Sequence, residues 1–517
     1  MPGFCGIVGE TSAGLDPLVW GVSTPGDKRR SEYRGDGIAV SRSTHPQFHE
    51  TQPATAADGS LIWVHGTPYG FEGPDGYQPR TDFSLTDAEY CARLLDEHGM
   101  DFVTGLNGEF SGVVLDQSDR SVSLFTDRIG SRPLFYTRTE SALLFSSHIQ
   151  ALGLYPDVTP AFDRSYLAEF FSVQKAFGTA TPLADVSKVS PASILVTGMD
   201  GSVREARTYW QPRYRPVERS PAAVAREIVD VFKQVFTERL REDLEYGVLL
   251  SGGSDSRLIL GAMTELGWNP TAFHMSNWMS REARTAERVA MDAGVEFRLL
   301  RRGPDYHERL LEREPQVSNF VGAFDEAIAS GFTEELGSVD VVLTGYLGDT
   351  MFGEYPLYLP SAARVLGPRF EREITSVSEF VDRYLDRYST PAETPTFLDV
   401  PDVADVMRQN IHAEDGALRH HGVRYHSLRE LQLCEYYPLT NQFASANTDS
   451  IRRITGHWSP FFDSRLVDLS LSVPVRDRIR YDLINQAVTR LSPSLAAIPH
   501  GQTGLPLDRS TRTGAKH

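Results

Sequence analysis

The spacing of apolar and polar residues divides the chain into a first region of short strands and a second region in which helices and strands alternate. Residues 1 to about 210 contain short apolar or alternating runs at Leu61–His65, Phe110–Asp116, Ser121–Thr126 and Ala142–Ser146. Clusters of Gly, Asp and Ser separate these runs at the intervals that are typical of hairpins. One further segment, Asp87–His98, has the spacing of a helix. The first region is therefore predicted to be rich in β-structure.

After residue 221 the pattern changes to amphipathic helices that alternate with short buried strands. The segment 211–221, which is rich in Pro and Arg, is predicted to be a linker. The predicted helices are Ala222–Arg241, Ser256–Leu266 and Arg281–Ala293, and the predicted strands are Tyr246–Leu250, Thr271–Met275, Glu296–Leu300 and Val339–Thr344. This alternation predicts a parallel sheet with helices on both faces, whose ligands bind at the carboxyl ends of the strands. The remainder, from about Glu371, is predicted to be mainly helical.

Length and composition exclude several classes of protein. A chain of 517 residues is too long for one hydrophobic core, and the change of pattern predicts domains at 1–210 and 222–517. No apolar run approaches the roughly 20 residues of a membrane span, and no basic run precedes an apolar segment at the start, so we expect a cytoplasmic protein that does not contact a membrane. The net charge of −18 argues against binding to nucleic acid.

Cysteine and lysine are both rare. Cys5, Cys91 and Cys434 are scattered, without the C-x-x-C spacing of a zinc site or the pattern of a disulfide framework. The lysines are Lys28, Lys175, Lys188, Lys233 and Lys516, and every other cation is an arginine. An acidic surface that is poor in lysine fits a salt-rich cytoplasm, and a genome that favours arginine codons explains the same skew.

The strongest chemical signal follows the predicted strand Tyr246–Leu250, where the sequence reads Ser251-Gly252-Gly253-Ser254-Asp255-Ser256. Adjacent glycines let the backbone turn tightly, and a helix begins at once, so that its free N–H groups face the loop and can bind an anion. Asp255 would repel a bare phosphate, which suggests a bridging Mg²⁺. The loop fits neither the P-loop nor the dinucleotide-binding pattern. The alternative is a Ser/Gly turn that only caps a helix.

The loop resembles the pyrophosphate loop of the N-type ATP pyrophosphatases, and the chain resembles the asparagine synthetase family along most of its length. In that family a second loop follows a later parallel strand, and residues 341–353 (VVLTGYLGDTMFG) occupy its place here. The resemblance implies that Asp349 binds Mg²⁺ together with Asp255, so that ATP and Mg²⁺ are the expected cofactors. It also implies an ATP site formed by Ser251, Gly252, Gly253, Ser256, Arg257 and Gly345. Taken alone, Asp349 would be a solvated loop aspartate.

Three further segments carry the same resemblance. Thr126–Tyr136 resembles R-D-x-x-G-x-x-P-L-Y, Phe145–His148 resembles F-A-S-E, and Ser459–Asp463 resembles R-x-P-F-L-D without its arginine. The resemblance implies an α/β protein with two halves. The N-terminal half would be an αββα sandwich like that of the Ntn hydrolases, of the class II glutamine amidotransferase type. The C-terminal half would be a doubly wound parallel sheet of the ATP pyrophosphatase type with a helical C-terminal part.

In the family, the N-terminal domain is a glutaminase whose nucleophile is an N-terminal cysteine, with its own α-amine as the base. Cys5 matches that nucleophile, but Phe4 precedes it, so the amine would exist only after removal of four residues. The glutamine-binding positions are matched by Arg34, His65, Gly66 and Asp87, with His65 in place of the asparagine that donates to the oxyanion. We find no counterpart of the family's R-L-S-I arginine. The alternative for Cys5 is a small core residue in a strand.

Two departures from the family concern the synthetase half. Tyr346 stands where asparagine synthetases have a glutamate, and a tyrosine here resembles β-lactam synthetase, where it works with a glutamate to deprotonate the attacking amine. The late lysine of the family is missing, because its register falls on Tyr481 and no lysine lies between Lys233 and Lys516. We expect Arg480 or Arg257 to supply the positive charge instead, the alternative being that each is an ordinary surface residue.

These features support hypotheses from different classes. The first is an enzyme that splits ATP into AMP and pyrophosphate, adenylates a small-molecule carboxylate and forms an amide, as in asparagine synthesis, with glutamine or ammonia as the amine donor. A variant of it acts as β-lactam synthetase does, on an amino group of a larger substrate. The second is a non-catalytic scaffold that binds nucleotide, and the third is a protein that only hydrolyses glutamine. A homodimer is among the assemblies that we expect.

Other chemistry-bearing residues give weaker signals. His420, His421 and His426 lie in a polar stretch without a Cys or a carboxylate at ligand spacing, so they are predicted to form a solvated face rather than a metal site. Phe273 and Trp278 are predicted to be core residues, with the wall of an adenine pocket as the alternative.

Overall fold

Two compact units make up the chain in the computed structural model. The residues described are 2–23, 29–35, 37–175, 177–311, 314–317, 319–320, 326–353, 374–389, 399–434, 436–441, 445–480 and 482–509, with the backbone alone at 314–315 and 479–480. The first unit consists of Met1–Pro212, Glu312–Ala327 and Thr375–Arg453, and the second consists of Arg213–Leu311, Ile328–Ile374 and Ile454–His517. Within these described ranges no helix has the length and apolar character needed to cross a bilayer.

The strands are numbered in chain order. They are β1 (Phe4–Gly9), β2 (Arg29–Gly35), β3 (Ile38–Thr44), β4 (Ala54–Thr55), β5 (Leu61–Gly73), β6 (Gly76–Pro79), β7 (Leu106–Asp116), β8 (Ser121–Thr126), β9 (Phe135–Arg138), β10 (Ala142–Ser146), β11 (Ser187–Lys188), β12 (Ser193–Gly198), β13 (Val203–Thr208), β14 (Tyr246–Leu249), β15 (Thr271–Ser276), β16 (Phe297–Arg301), β17 (Val341–Leu343), β18 (Ile411–Glu414), β19 (Ala417–His420), β20 (Val423–Tyr425) and β21 (Gly456–Trp458).

Helices occupy much of the rest. The α-helices are Asp16–Val22, Asp87–His98, Phe102–Gly105, Ile149–Gly153, Arg164–Val173, Pro221–Arg239, Ser254–Glu265, Arg281–Ala293, Tyr306–Leu310, Glu314–Val317, Thr333–Leu336, Gly348–Phe352, Val377–Tyr388, Val403–Gln409, Leu428–Leu433, Ser445–Ile454, Ser464–Leu471, Val475–Arg480, Leu483–Leu491 and Pro493–Ala497. Short 3₁₀ helices lie at Pro46–Phe48, Gly99–Asp101, Leu439–Asn441 and Pro460–Phe462. The predicted helix that starts near Ala222 begins at Pro221, because Ser220 caps it by accepting from the Ala223 N–H.

The first unit contains two antiparallel sheets that pack face to face. One has the strand order β11-β9-β10-β1-β3-β2, and the other has the order β13-β12-β8-β7-β5-β4, with β6 paired to β5. The apolar cluster between the sheets includes Phe4 and Phe145 of the first sheet and Trp63 and Leu124 of the second.

Helices cover the outer faces of both sheets. Asp16–Val22 and Ile149–Gly153 pack on the first sheet, and Asp87–His98 packs on the second. The layer order is therefore helix, sheet, sheet, helix, which confirms the predicted αββα sandwich. The four strands predicted from alternation are present in β5, β7, β8 and β10.

The second unit is built on a parallel sheet with the order β16-β15-β14-β17-β21. From β14 the chain runs outward through the helices Ser254–Glu265 and Arg281–Ala293 to β15 and β16. It then returns to place β17 on the other side of β14. The strand order thus reverses between β14 and β17, and ligands of open parallel sheets bind at such a switch point. The doubly wound sheet predicted for the second region is confirmed.

The expectation that residues after about Glu371 are mainly helical is wrong for 411–425. Strands β18, β19 and β20 form a small antiparallel sheet in the first unit. Its two turns are Asp415-Gly416 and His421-Gly422, and all four of these residues have positive φ angles between 47° and 82°. Two successive residues with positive φ form the tight turn that joins hairpin strands, and Asp-Gly is a strong signal for that turn.

Candidate functional site

The loop Ser251–Ser256 connects β14 to the helix Ser254–Glu265 at the switch point of the sheet. Gly252 has φ +78°, a value that glycine adopts without strain. The loop is held by its own serines, since Ser251 Oγ accepts from the Gly253 N–H at 3.2 Å and Ser256 Oγ accepts from the Ser251 N–H at 3.2 Å. Ser251 itself is exposed. The N–H groups of the first helical turn are therefore presented at an open loop, as an anion site requires.

The loop after β17 packs directly against this first loop. A Cβ atom added at Gly345 would lie 2.7 Å from Asp255 Cβ, and one added at Gly348 would lie 2.6 Å from Asp255 Cγ. The backbone N–H of Asp349 donates to the Asp255 carboxylate. The two aspartates predicted to share a metal ion are thus neighbours, and glycine at 345 and 348 is what permits this close approach.

Negative charge accumulates at the junction of the two loops. The pKa of Asp255 is raised well above its ordinary value, first by burial and then by the nearby carboxylates of Asp349 and Asp482. Asp482 caps the helix Leu483–Leu491 by accepting from the Asn485 N–H. Carboxylates that repel one another in this way are stabilised by a bound cation.

Mg²⁺ fits this arrangement when phosphate is also present. No group of three or more His, Cys, Asp and Glu side chains at metal-binding distance occurs among the described residues. Mg²⁺ in nucleotide enzymes is commonly held by one or two carboxylates plus substrate phosphates and water. Asp255 and Asp349 would hold the ion, which would neutralise the charge of the phosphate oxygens.

Arg257 lies behind the loop rather than facing a ligand, which corrects its predicted role. Its side chain is fully buried. The guanidinium donates to the carbonyl oxygens of Leu495, Ile498, Gly252 and Pro499 at 2.5–3.0 Å. Because these carbonyls bind both terminal nitrogens of the buried guanidinium, Arg257 positions the loop and does not replace the missing lysine. The other predicted substitute, the side chain of Arg480, and the whole of Tyr481 lie outside the described residues.

Tyr346 lies within the second loop and is half-buried. Its carbonyl oxygen accepts from Ser459 Oγ at 3.0 Å, and its ring makes an edge contact with Phe462. Both partners belong to the Ser459–Asp463 segment that carries the family resemblance. Asp463 of that segment is fully buried and pairs with Arg239 and Arg465, so it is a structural residue.

Cys5 lies in the apolar layer between the first sheet and the helices that cover it. It sits on β1 between β10 and β3, and it is wholly buried among the residues that pack under the helix Asp16–Val22. Phe4 precedes it in the same strand, and the Phe4 N–H donates to Ser147 Oγ at 3.0 Å. Burial raises the pKa of the Cys5 thiol above its ordinary range, so that the thiol stays protonated at neutral pH. These are the properties of a core cysteine.

The predicted glutamine-binding residues do not form one open pocket. His65 is buried, and its ring stacks on Phe4 with centroids 5.6 Å apart. Gly66 packs so tightly that a Cβ atom would lie 1.9 Å from the carbonyl oxygen of Glu109. Arg34 is exposed on β2 and pairs with Asp16 at 2.6 Å, which places it away from the buried residues.

Asp87 is already paired with a cation of the protein. It begins the helix Asp87–His98, and its carboxylate binds the guanidinium of Arg80, which is 5% exposed. The Asp87 N–H donates to Glu50 at 2.7 Å, and Glu50 in turn pairs with the buried Arg42 at 3.6 Å. A substrate ammonium group would have to compete with Arg80 for Asp87.

Arg42, Glu50 and Arg80 were missed by the sequence analysis. One signal was available, because strict alternation along β3 places Arg42 on the same face as the buried Ile38 and Val40. A charged residue at an inward position of a strand is costly unless it is paired. The partners themselves come from separate segments, and no local spacing reveals them.

Of the five histidine and aromatic predictions, three are wrong and two are confirmed, one of these being the exposed His426. His420 and His421 are buried, and His421 Nε2 lies 2.6 Å from Glu169 Oε1. The turn at His421-Gly422 folds this segment back, so the two rings pack on Phe177 instead of facing solvent. Trp278 is 64% exposed and is not a core residue, whereas Phe273 is fully buried as predicted.

Two protein-family models match the chain. One is described as a glutamine amidotransferase domain and matches residues 49–210, and the other is described as asparagine synthase and matches residues 227–490. Among curated proteins, the chain is 23% identical over 487 residues to asparagine synthetase [glutamine-hydrolyzing] 2 of Bacillus subtilis (strain 168), covering 85% of this chain and 61% of that protein. It is 25% identical over 353 residues to amidase chry2 of Gibberella zeae, covering 62% of this chain and 50% of that protein.

The chain spans less than two thirds of the length of these relatives, 61% of the first and 50% of the second. Among solved structures, an NMN synthetase from Francisella tularensis matches at 16% identity with a TM-score of 0.20, covering 37% of this chain and 78% of that one. A glutamine phosphoribosylpyrophosphate amidotransferase from B. subtilis matches at 10% identity with a TM-score of 0.28, covering 75% of this chain and 94% of that one. The strand order and helix packing of this chain alone support the fold, without these solved structures.

Proposed function

The chain belongs to the asparagine synthase family, and from that membership we propose that it is a carbon–nitrogen ligase that uses ATP. A carboxylate oxygen of the substrate attacks the α-phosphate of ATP, the bond to the β-phosphate breaks, and pyrophosphate leaves. An amine then attacks the carbonyl carbon of the acyl-adenylate, AMP leaves, and the amine gives up a proton. The products are an amide, AMP and pyrophosphate. We assign this chemistry to residues 222–517.

The observation that carries the proposal is the contact between the two loops at the switch point. We infer that the pyrophosphate binds at the loop Ser251–Ser256, where the glycines let the backbone approach it and the helix Ser254–Glu265 begins. Gly345 brings the second loop close enough for Asp349 to stand next to Asp255. A protein that only binds partners has no use for paired aspartates at an anion loop, which is why we favour a ligase over a scaffold.

We propose that the amine does not come from glutamine hydrolysis in this chain. Cys5 is buried behind Phe4, and Asp87 is paired with Arg80. Ammonia or an amino group of a larger substrate would then be the nucleophile. Tyr346, in the place of the family glutamate, favours the larger substrate, because a tyrosine that passes its proton to a neighbour can deprotonate an amine. Which carboxylate is activated is decided by the experiment below.

Isotope exchange between radiolabelled pyrophosphate and ATP tests the ligase proposal. We expect exchange that requires Mg²⁺ and one member of a panel of carboxylic acids, measured in low and high salt. Asp255→Ala should reduce the rate by at least about 100-fold, because the ion and the phosphates lose their anchor. The control is Asp305→Ala, which removes an exposed aspartate of the same unit. Exchange with aspartate would indicate asparagine synthesis, and no exchange with any acid would contradict the proposal.

A further inference from the structure

Among the described residues, neither a lysine nor Arg257 supplies the cation that the resemblance implies beside the pyrophosphate loop. No lysine lies between Lys233 and Lys516 in the sequence, and the terminal nitrogens of Arg257 donate to backbone carbonyls. As pyrophosphate leaves, negative charge grows on its oxygens, and a donor that faces them lowers the barrier. The question is therefore which other described group reaches this loop.

His500 reaches it from the C-terminal segment of the second unit. Its Nε2 lies 3.7 Å from the position of a Cβ atom added at Gly253, in the centre of the loop. The next residue also contacts the loop, since the Gly501 N–H donates to the Gly252 carbonyl at 3.4 Å. No local sequence pattern indicates this contact, because about 250 residues separate the two segments.

Two arginines fix the segment that carries His500. Arg257 binds the carbonyls of Ile498 and Pro499 on one side of the histidine. Arg281 binds the carbonyls of Gly501 and Gln502 on the other side, the first at 2.6 Å. Both arginines stand on the helices that follow β14 and β15, so the ring is held in place by the same elements that build the loop. Such anchoring is what a preorganised donor needs.

The hydrogen bonds of the ring determine which nitrogen carries the proton. The Gln502 N–H donates to His500 Nδ1 at 3.1 Å. A backbone N–H can only donate, so Nδ1 is the acceptor and the proton of the neutral ring is on Nε2. Burial lowers the pKa of His500, and the charge of Arg257 lowers it further; Glu282 opposes this and Arg281 adds to it. The ring is therefore a neutral Nε2–H donor at pH 7, on the side that faces Gly253.

We propose that His500 donates a hydrogen bond from Nε2 to the pyrophosphate group of ATP and so takes the place of the family's missing lysine. The proposal rests on the ligase function proposed above and names a further residue of that site. It predicts that His500 contributes mainly to the binding of the pyrophosphate moiety. The substrate carboxylate attacks the α-phosphate rather than the pyrophosphate group. Its affinity should therefore be unchanged in a His500 variant.

Calorimetric titration of the full chain with magnesium pyrophosphate tests this assignment. His500→Met fills a similar volume without a donor, and we expect its Kd to rise about tenfold, the usual loss for a hydrogen bond to a charged group. His500→Gln keeps an N–H donor at a similar reach, and we expect it to recover most of the affinity. His307→Ala serves as the control for removal of a histidine elsewhere in the second unit.

The outcomes separate the two proposals. Equal Kd values for wild type and His500→Met would overturn the role of His500 while leaving the ligase function intact. Equal losses in His500→Met and His500→Gln, with lowered melting temperatures, would show that the ring only supports the fold and would also overturn it. Wild-type protein that fails to bind magnesium pyrophosphate would remove the ligase proposal, and this assignment with it.

Discussion

At the scale of single residues, Lys188 shows how burial changes the chemistry of a side chain. It is 3% exposed in the first unit, and its ammonium nitrogen donates to Asn441 Oδ1 and lies 3.4 Å from Thr440 Oγ1. Burial lowers the pKa of Lys188 from 10.5 to about 7, although the charge of Asp449 acts in the opposite direction. The folded chain therefore prefers the neutral amine over a range in which the unfolded chain holds the proton.

This depressed pKa predicts a pH dependence of stability. Between pH 7 and 10.5 the unfolded chain binds one more proton at Lys188 than the folded chain, so this residue makes the wild type more stable as the pH rises, by up to about 1.4 kcal/mol per pH unit. Lys188→Met has no titrating group at this position. We therefore expect the difference between the melting temperatures of Lys188→Met and the wild type to shift in favour of the variant as the pH falls from 10 to 7. The same series with the exposed Lys233→Met is the control, and parallel curves for Lys188→Met and wild type would contradict the prediction.

At the scale of elements, the junction of the two loops is sensitive to a single methyl group. A Cβ atom at Gly348 would lie 2.6 Å from both the Asp255 carboxylate and the ring of Phe461. Phe461 is buried and cannot move freely, so Asp255 has to shift. Displacement of a metal-binding carboxylate by about 1 Å is enough to reduce a rate about 100-fold.

We therefore predict that Gly348→Ala lowers pyrophosphate exchange by about 100-fold and costs only about 1–3 kcal/mol of stability. Gly303→Ala is the matched control, because its Cβ atom would meet only the flexible end of Asp305 at 3.0 Å. Exchange rates and melting curves of both variants check the prediction. An unchanged exchange rate in Gly348→Ala would show that Asp255 does not need its present position.

Helices and strands could be predicted from the sequence where neighbouring residues alone determine them. The alternation in β7 and β8 and the capped helix Asp87–His98 follow from neighbouring residues, as does the glycine loop after β14. The hairpin at Asp415-Gly416 also has a local signal, the Asp-Gly turn, which was outweighed by the helical pattern around it. Buried histidines were missed for a different reason, since the Glu169 that receives His421 lies about 250 positions earlier in the chain.

At the scale of the whole molecule, the candidate site was predictable only as far as strand order determines it. Asp255 and Asp349 follow parallel strands that turn out to be adjacent, so their approach could be foreseen. Asp482 and His500 reach the same loops from segments whose position no period or motif specifies. Arg257 was misjudged because its residue type suggests a phosphate ligand, whereas its buried position leaves it only carbonyl partners.

The first unit bears on the source of the nitrogen, and its role can be tested in the whole protein. As long as Phe4 precedes Cys5, the thiol has no neighbouring α-amine to deprotonate it, and its burial keeps it protonated. His65 is neutral and stacked on Phe4, and Arg80 occupies the carboxylate of Asp87.

With the acid found by pyrophosphate exchange, we expect ammonium or a substrate amine to support AMP formation and glutamine to support none. Cys5→Ala should leave the rate unchanged, as should Cys91→Ala, which truncates another buried cysteine and controls for loss of packing. Chromatography of the amino acids measures the release of glutamate in the same reactions. Glutamate formed in equal amount to AMP, and lost in Cys5→Ala but not in Cys91→Ala, would contradict the prediction. It would establish Cys5 as a working nucleophile and would require the backbone before it to open.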